Sequence, residues 1–305
     1  MSIEHTTTTQ KQTACGSELN NSMGLKQSNK DVYQLITDKI IASLESGVAP
    51  WVKPWGSNGA PRNAVTGRKY SGINFILLSM YPNASPLWLT YNQSKAAGGQ
   101  VRKGERGALV VLFKPLNVTD KNDAEGAQKI IPLMRTFVVF NVEQIDGLPE
   151  KYTQSAQPQL TSFEDNAQAE ALLARAHIEH GKAKPCFIPS RDEIHMPIKT
   201  AFRSTGDYYA TALHELCHWS GAKSRLDRSL TGRFGDDDYA FEELIAELGA
   251  AFLCAHCGID GQLQHENYLA SWLEVLKNDK RAIFTASAAA RKAAEYLIGD
   301  QMQEE

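Results

Sequence analysis

The sequence predicts an α+β protein with two domains, and three observations support this prediction. Segments with apolar residues at helical spacing occur together with short runs rich in β-branched and aromatic residues. A polar stretch at residues 151–161 separates two such regions and is typical of a linker. The charge balance also differs, because residues 31–150 hold 13 Lys and Arg against 10 Asp and Glu, whereas residues 151–305 hold 16 against 23. We therefore expect one domain at residues 31–150 and a second at residues 162–305.

The first 30 residues are predicted to be a disordered tail. They are rich in Thr, Gln, Asn and Ser, and they lack the basic start and apolar core of a secretory signal. The five cysteines of the chain are scattered and odd in number, which does not resemble a disulfide framework. No apolar run approaches the roughly 20 residues that a membrane-spanning helix needs. These features predict a cytoplasmic protein without a membrane partner.

The first domain is predicted to open with an amphipathic helix. Residues 31–46 place five apolar side chains at helical spacing, and Gly47 follows where such a helix would end. The apolar segment at residues 73–80 predicts a second helix. Three further runs favour strands and make the domain a mixed α and β structure: residues 88–90, 109–113 and 136–141.

The second domain is predicted to begin with a helix near residues 163–180. Residues 185–198 then alternate between apolar and polar side chains around a turn, which predicts a hairpin. Ser204, followed three residues later by Asp207, resembles a capping box and predicts the start of another helix. A further helix is indicated over residues 241–257 by its apolar periodicity.

The sequence His214-Glu215-Leu216-Cys217-His218 matches the His-Glu-x-x-His motif of metalloproteases. On a helix, residues four apart lie on one face, so that both imidazoles can bind one metal ion. Glu215 lies beside that face, where its carboxylate can take a proton from a water molecule that the metal activates. The motif alone also occurs by chance, so a third ligand is needed to support the prediction.

Two arrangements could supply the third ligand. The longer motif His-Glu-x-x-His-x-x-Gly-x-x-His is followed as far as Gly221, but Ser224 occupies the position of its third ligand. The gluzincin arrangement instead takes a Glu from a downstream helix, and Glu243 with Glu247 fits it. Glu243 is predicted to bind the metal, and Glu247 is predicted to accept the second ring N–H of a ligand histidine. Glu242 is predicted to point elsewhere on the helix.

The ligand set of two histidines and one carboxylate favours Zn²⁺, with Mn²⁺ or another divalent ion as the alternative. The competing interpretation of Glu243 and Glu247 is a solvated acidic face, which most helical carboxylate pairs form. Cys254 and Cys257 make a lone Cys-x-x-Cys pair without a matching second pair. They are interpreted as helix-packing residues.

A basic and aromatic window extends over residues 51–114. It holds nine Lys and Arg but one acidic residue, Glu105, and eight aromatic residues are interleaved with the cations. Cations contact phosphates and aromatic rings stack on unpaired bases, so this mixture predicts binding of single-stranded nucleic acid. The alternative is that the aromatic residues belong to the core and that the cations form a solvated face. The candidate binding residues are Arg62, Arg68, Lys69, Tyr70, Trp88, Tyr91, Lys95, Arg102, Lys103 and Arg106.

Several long segments, in the same order along the chain, resemble one known family. Residues 31–51, 61–74 and 101–107 resemble the N-terminal domain of the ArdC-type antirestriction proteins of conjugative plasmids. In the second half, the metallopeptidase domain of the same family is resembled by residues 214–221, 224–228 and 242–254. The resemblance covers roughly residues 30–260.

This resemblance implies a single-stranded-DNA-binding N-terminal domain joined to a zincin-like metallopeptidase domain of the gluzincin type. The implied function is protection of incoming plasmid DNA from host restriction, in the bacterial cytoplasm. The expected partners are single-stranded DNA and a protein substrate, with a component of a host restriction system as one candidate. The alternative function is a protein that shields DNA and whose metal site is structural or dispensable. A DNA mimic would need an acidic surface, which the basic window argues against.

Overall fold

The structure combines eight α-helices with nine β-strands in the part of the chain that it describes. It is a computed structural model, and the described residues are 31–51, 59–81, 85–119, 128–152, 165–228, 237–260 and 269–299. The helices are α1 (Val32–Glu45), α2 (Ile73–Ser79), α3 (Tyr91–Ala96), α4 (Ala167–Leu173), α5 (Thr205–Ser220), α6 (Asp237–Cys257), α7 (Leu269–Asn278) and α8 (Ala282–Ile298). The strands are β1 (Arg62–Asn63), β2 (Leu87–Thr90), β3 (Gln100–Val101), β4 (Ala108–Thr119), β5 (Gln128–Asn141), β6 (Ile145–Asp146), β7 (His177–His180), β8 (Cys186–Ile188) and β9 (Glu193–Met196).

The first half is built around a four-stranded sheet in the order β1-β2-β5-β4. β1 pairs with β2 in parallel, whereas the other neighbours are antiparallel. The predicted strands at residues 88–90, 109–113 and 136–141 are confirmed, and β4 and β5 extend beyond them as a long ribbon. β3 pairs separately with β6 in a two-stranded sheet. The first half is therefore mixed α and β, as predicted.

The predicted opening helix is confirmed as α1. Its apolar stripe is buried, including Ile36, Ile40 and Leu44, and Gly47 follows in the left-handed conformation at φ +80°. Glycine adopts this conformation without the steric cost of a side chain, which explains why the helix ends there. α1 packs against α7, so a helix near the start of the chain contacts one near its end.

The two predicted domains share one hydrophobic core. Phe75 on α2 contacts Phe252 on α6 edge to face, with 4.9 Å between the ring centroids. Trp51 contacts Trp272 on α7 in the same way at 5.6 Å. The predicted tail and residues 153–161 of the predicted linker lie outside the described residues, so the predicted domain limits remain a prediction.

The second half contains a three-stranded sheet in the order β7-β9-β8. The predicted hairpin is confirmed, since β8 and β9 are antiparallel with Phe187 opposite Ile194. The predicted helix over residues 163–180 is wrong in its second half. α4 ends at Leu173, and residues 177–180 form β7 because they pair in parallel with β9, a partner distant in the sequence.

α5 and α6 pack closely against each other and carry the candidate metal ligands. A Cβ atom on Gly249 of α6 would lie 2.6 Å from the Sγ atom of Cys217 on α5, so glycine allows this approach. Cys217, Cys254 and Cys257 are buried, and burial raises the pKa of Cys257 to about 12. They pack as small apolar side chains, which agrees with the interpretation of the cysteine pair.

α8 packs on both α5 and α6 and completes the helical layer. Neither α7 nor α8 was predicted from the sequence. None of the helices in the described ranges combines the length and the apolar character needed to span a bilayer.

Candidate metal centre

The His-Glu-x-x-His motif lies on α5, whose start is fixed by a side-chain cap. The Ser204 hydroxyl accepts a hydrogen bond of 3.0 Å from the Asp207 backbone N–H, as the capping pattern predicts. The helix then presents His214 and His218 on one face, one turn apart. Both histidines are buried, with 2% and 9% of their surfaces exposed.

Three side chains converge at one point between α5 and α6. The Nε2 atoms of His214 and His218 are 3.1 Å apart. Each lies 3.5 Å from a carboxylate oxygen of Glu243. Ligands at about 2.1 Å from a tetrahedral ion are about 3.4 Å from one another, so these spacings match a bound divalent ion.

A carboxylate also faces the outer nitrogen of each imidazole. The Nδ1 atom of His214 lies 3.5 Å from Glu247, and that of His218 lies 3.3 Å from Glu242. A carboxylate in this position can accept a hydrogen bond from the Nδ1–H group, which leaves the Nε2 lone pair available to a metal. The donor atoms and their orientation therefore fit a divalent ion.

The prediction that Glu242 points elsewhere is wrong. Arg228 donates hydrogen bonds of 2.9 and 3.1 Å to its two carboxylate oxygens. The same guanidinium donates to the Cys217 backbone carbonyl at 2.6 Å and to the Ser220 hydroxyl at 3.1 Å. The helical periodicity of α6 could not show this contact, because Arg228 reaches Glu242 only after the segment that follows α5 folds back. Its positive charge offsets the cost of burying Glu242.

This fold-back depends on a glycine and a second arginine. A Cβ atom on Gly221 would lie 2.7 Å from an Nη atom of Arg228, so glycine leaves room for the guanidinium. The Cζ atom of Arg225 lies 3.8 Å from the centroid of the Trp219 ring. Its Nε–H group donates a hydrogen bond of 2.6 Å to the Trp219 backbone carbonyl. It also pairs with Asp192 in the β8–β9 turn. The two arginines thus fix the end of α5 relative to α6 and the hairpin.

Charge coupling within the cluster is strong. Burial lowers the pKa of His214, but hydrogen bonds to Glu243 and Glu247 and nearby negative charges outweigh this effect and raise it to about 10. Burial likewise raises the pKa of Glu243, but its hydrogen bond to His214 and its electrostatic interactions with His218 and His214 lower it to about 2. The carboxylates therefore create a potential that favours a cation among the ligands.

Glu215 lies on α5 beside this cluster, with 7% of its surface exposed. Its charge contributes to raising the pKa of His214. The pKa of the Cys186 thiol on β8 is raised mainly by burial and to a smaller extent by the charge of Glu215. β8 is an edge strand of its sheet and packs against α5, the helix that carries this candidate general base.

A second group of metal-binding residue types lies on the sheet, formed by Glu179, Glu193 and His195. Their charges are already paired. Lys182 contacts Glu179 at 2.8 Å, and Arg191 contacts Glu193 at 3.3 Å. The buried centre between α5 and α6 is therefore the stronger candidate.

The predicted DNA-binding cations form two groups. The first consists of Arg62, which is half-buried on β1, and of Arg68 and Lys69, which are exposed on the tight turn that follows β1. The Asn63 side-chain oxygen holds this turn by accepting hydrogen bonds of 3.0 Å from the backbone N–H groups of Val65 and Thr66. Gly67 completes it at φ +73°. The turn thus projects the cations of the Arg68–Lys69 segment into solvent.

The second group lies on α3 and on the loop between β3 and β4. Tyr91 is 42% exposed, with the Lys95 ammonium 5.1 Å from its ring centroid. Lys103 and Arg106 are exposed on the loop. Arg102 has a structural role there, because it pairs with Glu105 at 2.8 Å and also with Asp146 at 3.3 Å.

Two predicted aromatic candidates are buried, and one exposed ring, that of Phe137, is not among the predicted residues. Trp88 is 2% exposed and Tyr70 is 6% exposed, both in a small cluster of the first half. Burial removes Trp88 as a stacking residue, since its ring faces have no access to a base. Phe137 on β5 is 44% exposed, and Arg135 on the same strand is also exposed. Their positions two residues apart place both on one sheet face.

A helix-borne His-Glu-x-x-His motif completed by a Glu from a second helix is the arrangement of a zincin-like metal centre. Residues 167–289 match the family of zincin-like metallopeptidases, and residues 30–140 match the N-terminal domain of the anti-restriction factor ArdC. The fold resembles the crystal structure of metal-free antirestriction protein ArdC from the R388 plasmid, with a TM-score of 0.75 and 43% identity. That comparison covers 89% of this chain and 99% of the other. The chain therefore belongs to the ArdC antirestriction family.

Other relatives include two of similar length and one much longer protein. The Mn(II)-bound structure of R388 ArdC is 42% identical with a TM-score of 0.72, over 88% of this chain and 97% of the other. The protein y4eC of Sinorhizobium fredii is 39% identical over 90% of this chain and 94% of its own length. DNA primase TraC of Escherichia coli is 38% identical over 90% of this chain, which spans 28% of TraC.

Proposed function

We propose that the chain is an antirestriction protein that binds single-stranded DNA and cleaves a protein at a metal-dependent peptidase centre. This activity would protect incoming plasmid DNA from host restriction in the bacterial cytoplasm. The observation that carries the proposal is the convergence of His214, His218 and Glu243 at ligand spacing, with Glu215 buried beside them. Membership of the ArdC family supports the antirestriction role.

In this proposal His214, His218 and Glu243 hold one divalent ion. The nitrogen and carboxylate donors favour Zn²⁺, and Mn²⁺ is the alternative that the relative's structure suggests. When bound, the ion would supply the charge that polarises a peptide carbonyl and activates water. Glu215 takes the proton of the attacking water and passes it to the leaving amine.

The residues around the ligands have positioning roles in this proposal. Glu247 holds His214, and Glu242 holds His218 through their Nδ1–H groups. Arg228 in turn holds Glu242. These contacts keep both Nε2 lone pairs directed at the metal position, which reduces the reorganisation needed on binding.

The position of the edge strand β8 favours a protein as the substrate. Among the described strands β8 pairs with β9 alone, which leaves its other edge open to an extended peptide. Cys186 on this strand is exposed, and β8 packs against α5, the helix that carries Glu215. A peptide paired with β8 would therefore pass close to the general base. A component of a host restriction system is the candidate substrate.

The metal site is tested by measuring the metal content of the purified chain. We expect about one divalent ion per chain. We expect His214→Ala to lose it, because only two of the three ligands remain. His177→Ala is the matched control, since His177 is exposed on β7 and belongs to neither helix that carries the candidate ligands. Unchanged stoichiometric metal in His214→Ala would exclude this site.

The DNA-binding proposal is tested with the full chain, because both halves share one core. Lys103→Gln/Arg106→Gln should weaken oligothymidine binding and lower the slope of log affinity against log salt by about 1.4, at about 0.7 per lost phosphate contact. Lys39→Gln/Lys277→Gln removes the same charge from exposed positions on α1 and α7 and should have little effect. Equal losses in both variants would indicate a general charge effect and contradict the proposed surface.

A further inference from the structure

A cleft of about 460 Å³ lies apart from the metal centre, between the segment at residues 69–74, β4, α1 and α8. Its volume is within the range of small-molecule sites. Three of these elements come from the first half of the chain, and the fourth, α8, is the last described helix. This arrangement could not be predicted from the sequence, because α8 begins more than 200 residues after Lys69.

The cleft is strongly basic. Lys69, Arg281, Arg291 and Lys292 line it, and none of its described lining residues is acidic. The Nη1 atom of Arg291 lies 3.7 Å from a carboxylate oxygen of Glu295. Lys69, Arg281 and Lys292 are exposed. Four cations around one concave space create a positive potential that attracts an anion.

Aromatic rings line the same cleft as the cations. Tyr33 and Phe113 are half-buried, so part of each ring remains accessible. The Tyr33 ring contacts Phe284 edge to face at 4.6 Å, and the Arg281 guanidinium lies 5.1 Å from its centroid. A ligand that enters the cleft would therefore meet aromatic rings beside the positive charges.

The walls of the cleft are held in place by hydrogen bonds. The Asn74 side chain donates to the Val111 carbonyl and accepts from the Val111 N–H, both at 2.7 Å, which joins α2 to β4. Gly72 lies opposite α8 at φ +54°, where a Cβ atom would be 3.8 Å from the Ser287 carbonyl oxygen. The cleft is thus preformed, which lowers the ordering cost of binding.

We propose that this cleft binds one nucleotide, with its phosphate on the cations and its unpaired base against the aromatic rings. The nucleotide is either free or one unit of a DNA strand, since both present the same groups. The strand-bound case rests on the proposed single-stranded-DNA binding, whereas the free case does not. If a strand enters the cleft, α8 joins the DNA-binding surface and connects it to the helices of the metal centre.

The test measures four probes on the full chain: thymidine monophosphate, thymidine, inorganic phosphate and labelled oligothymidine. Arg281→Gln/Lys292→Gln removes two exposed cleft cations, and Lys39→Gln/Lys277→Gln removes two exposed cations elsewhere. We expect thymidine monophosphate to bind more tightly than phosphate or thymidine alone. The cleft variant should weaken its binding about tenfold, and the control should not.

The oligothymidine arm identifies the source of the nucleotide. A matching loss of oligothymidine affinity in the cleft variant supports a strand-bound nucleotide, and unchanged oligothymidine affinity supports a free nucleotide. Equal competition by inorganic phosphate and thymidine monophosphate would overturn the proposal, as would equal binding by cleft and control variants. If wild type binds no oligothymidine, the proposed DNA binding fails, while thymidine monophosphate still decides the cleft.

Discussion

Gly221→Ala should damage the metal centre although Gly221 is not a ligand. Its backbone is helical at φ −78°, a conformation that alanine adopts readily. The new Cβ would instead meet Arg228, at 2.7 Å from an Nη atom and 2.9 Å from Cζ. Because three acceptor groups hold this guanidinium, it cannot move aside without losing hydrogen bonds to Glu242, Cys217 and Ser220.

Two opposing effects set the size of the change. Replacing glycine by alanine stabilises a folded chain by about 0.4–1 kcal/mol through the unfolded state. Breaking a buried ion pair costs about 3–5 kcal/mol, and Arg228 and Glu242 are only 11% and 9% exposed. We expect a net loss of about 2–4 kcal/mol. Metal affinity should fall about 10–100-fold, since Glu242 no longer holds His218.

The assay is a double-mutant cycle with Arg228→Ala. Thermal unfolding is measured in chelator, and metal affinity is measured by competition with a chromophoric chelator. In the Arg228→Ala background the added methyl group meets no guanidinium, so Gly221→Ala should be neutral or slightly stabilising there. The same destabilisation in both backgrounds would refute the steric explanation.

Three further predictions concern single groups of the two sites. Glu247→Gln should weaken metal binding about tenfold, because the neutral amide polarises His214 less; a competition assay measures this, and unchanged affinity would contradict the role. In the metal-free protein, the contribution of His214 to stability is complete below a pH of about 6.5 and lost as the pH rises through about 10. As the pH rises over that range, the thermal stability measured in chelator should therefore fall while metal affinity rises. The opposite trends would contradict this role of His214. Tyr91→Ala should weaken oligothymidine binding by about 1–3 kcal/mol, whereas Trp88→Phe should lower stability and leave binding unchanged; a larger binding loss in Trp88→Phe would show that the buried ring contacts DNA.

Features set by local spacing could be predicted from the sequence. The Ser204 cap and the i,i+4 histidines depend on residues within a few turns, and a helix fixes their relation. Glu243 and Glu247 also share a face by periodicity, and the structure places both beside His214. Their metal-binding role remains a proposal, but their arrangement follows from helical geometry and an apolar stripe that packs α6 on α5.

Features set by distant contacts could not be predicted. Residues 177–180 form a strand only because β9 supplies their partner. Glu242 is held by Arg228, which depends on how the segment after α5 folds back. Trp88 looked like a stacking residue among cations, yet the sheet buries it. In each case the deciding neighbour is remote along the chain or follows an irregular turn, and periodicity gives no information about it.

The central claim is that proteolysis through Glu215 underlies protection from restriction. The decisive measurement is restriction protection by Glu215→Gln, with metal content and oligothymidine affinity measured on the same protein. Glu274→Gln, at an exposed position on α7, is the matched control. Loss of the general base should lower peptide cleavage about 10²–10⁴-fold and abolish protection, while both binding properties persist. Full protection by a Glu215→Gln variant that retains metal and DNA would contradict the claim and favour shielding of DNA.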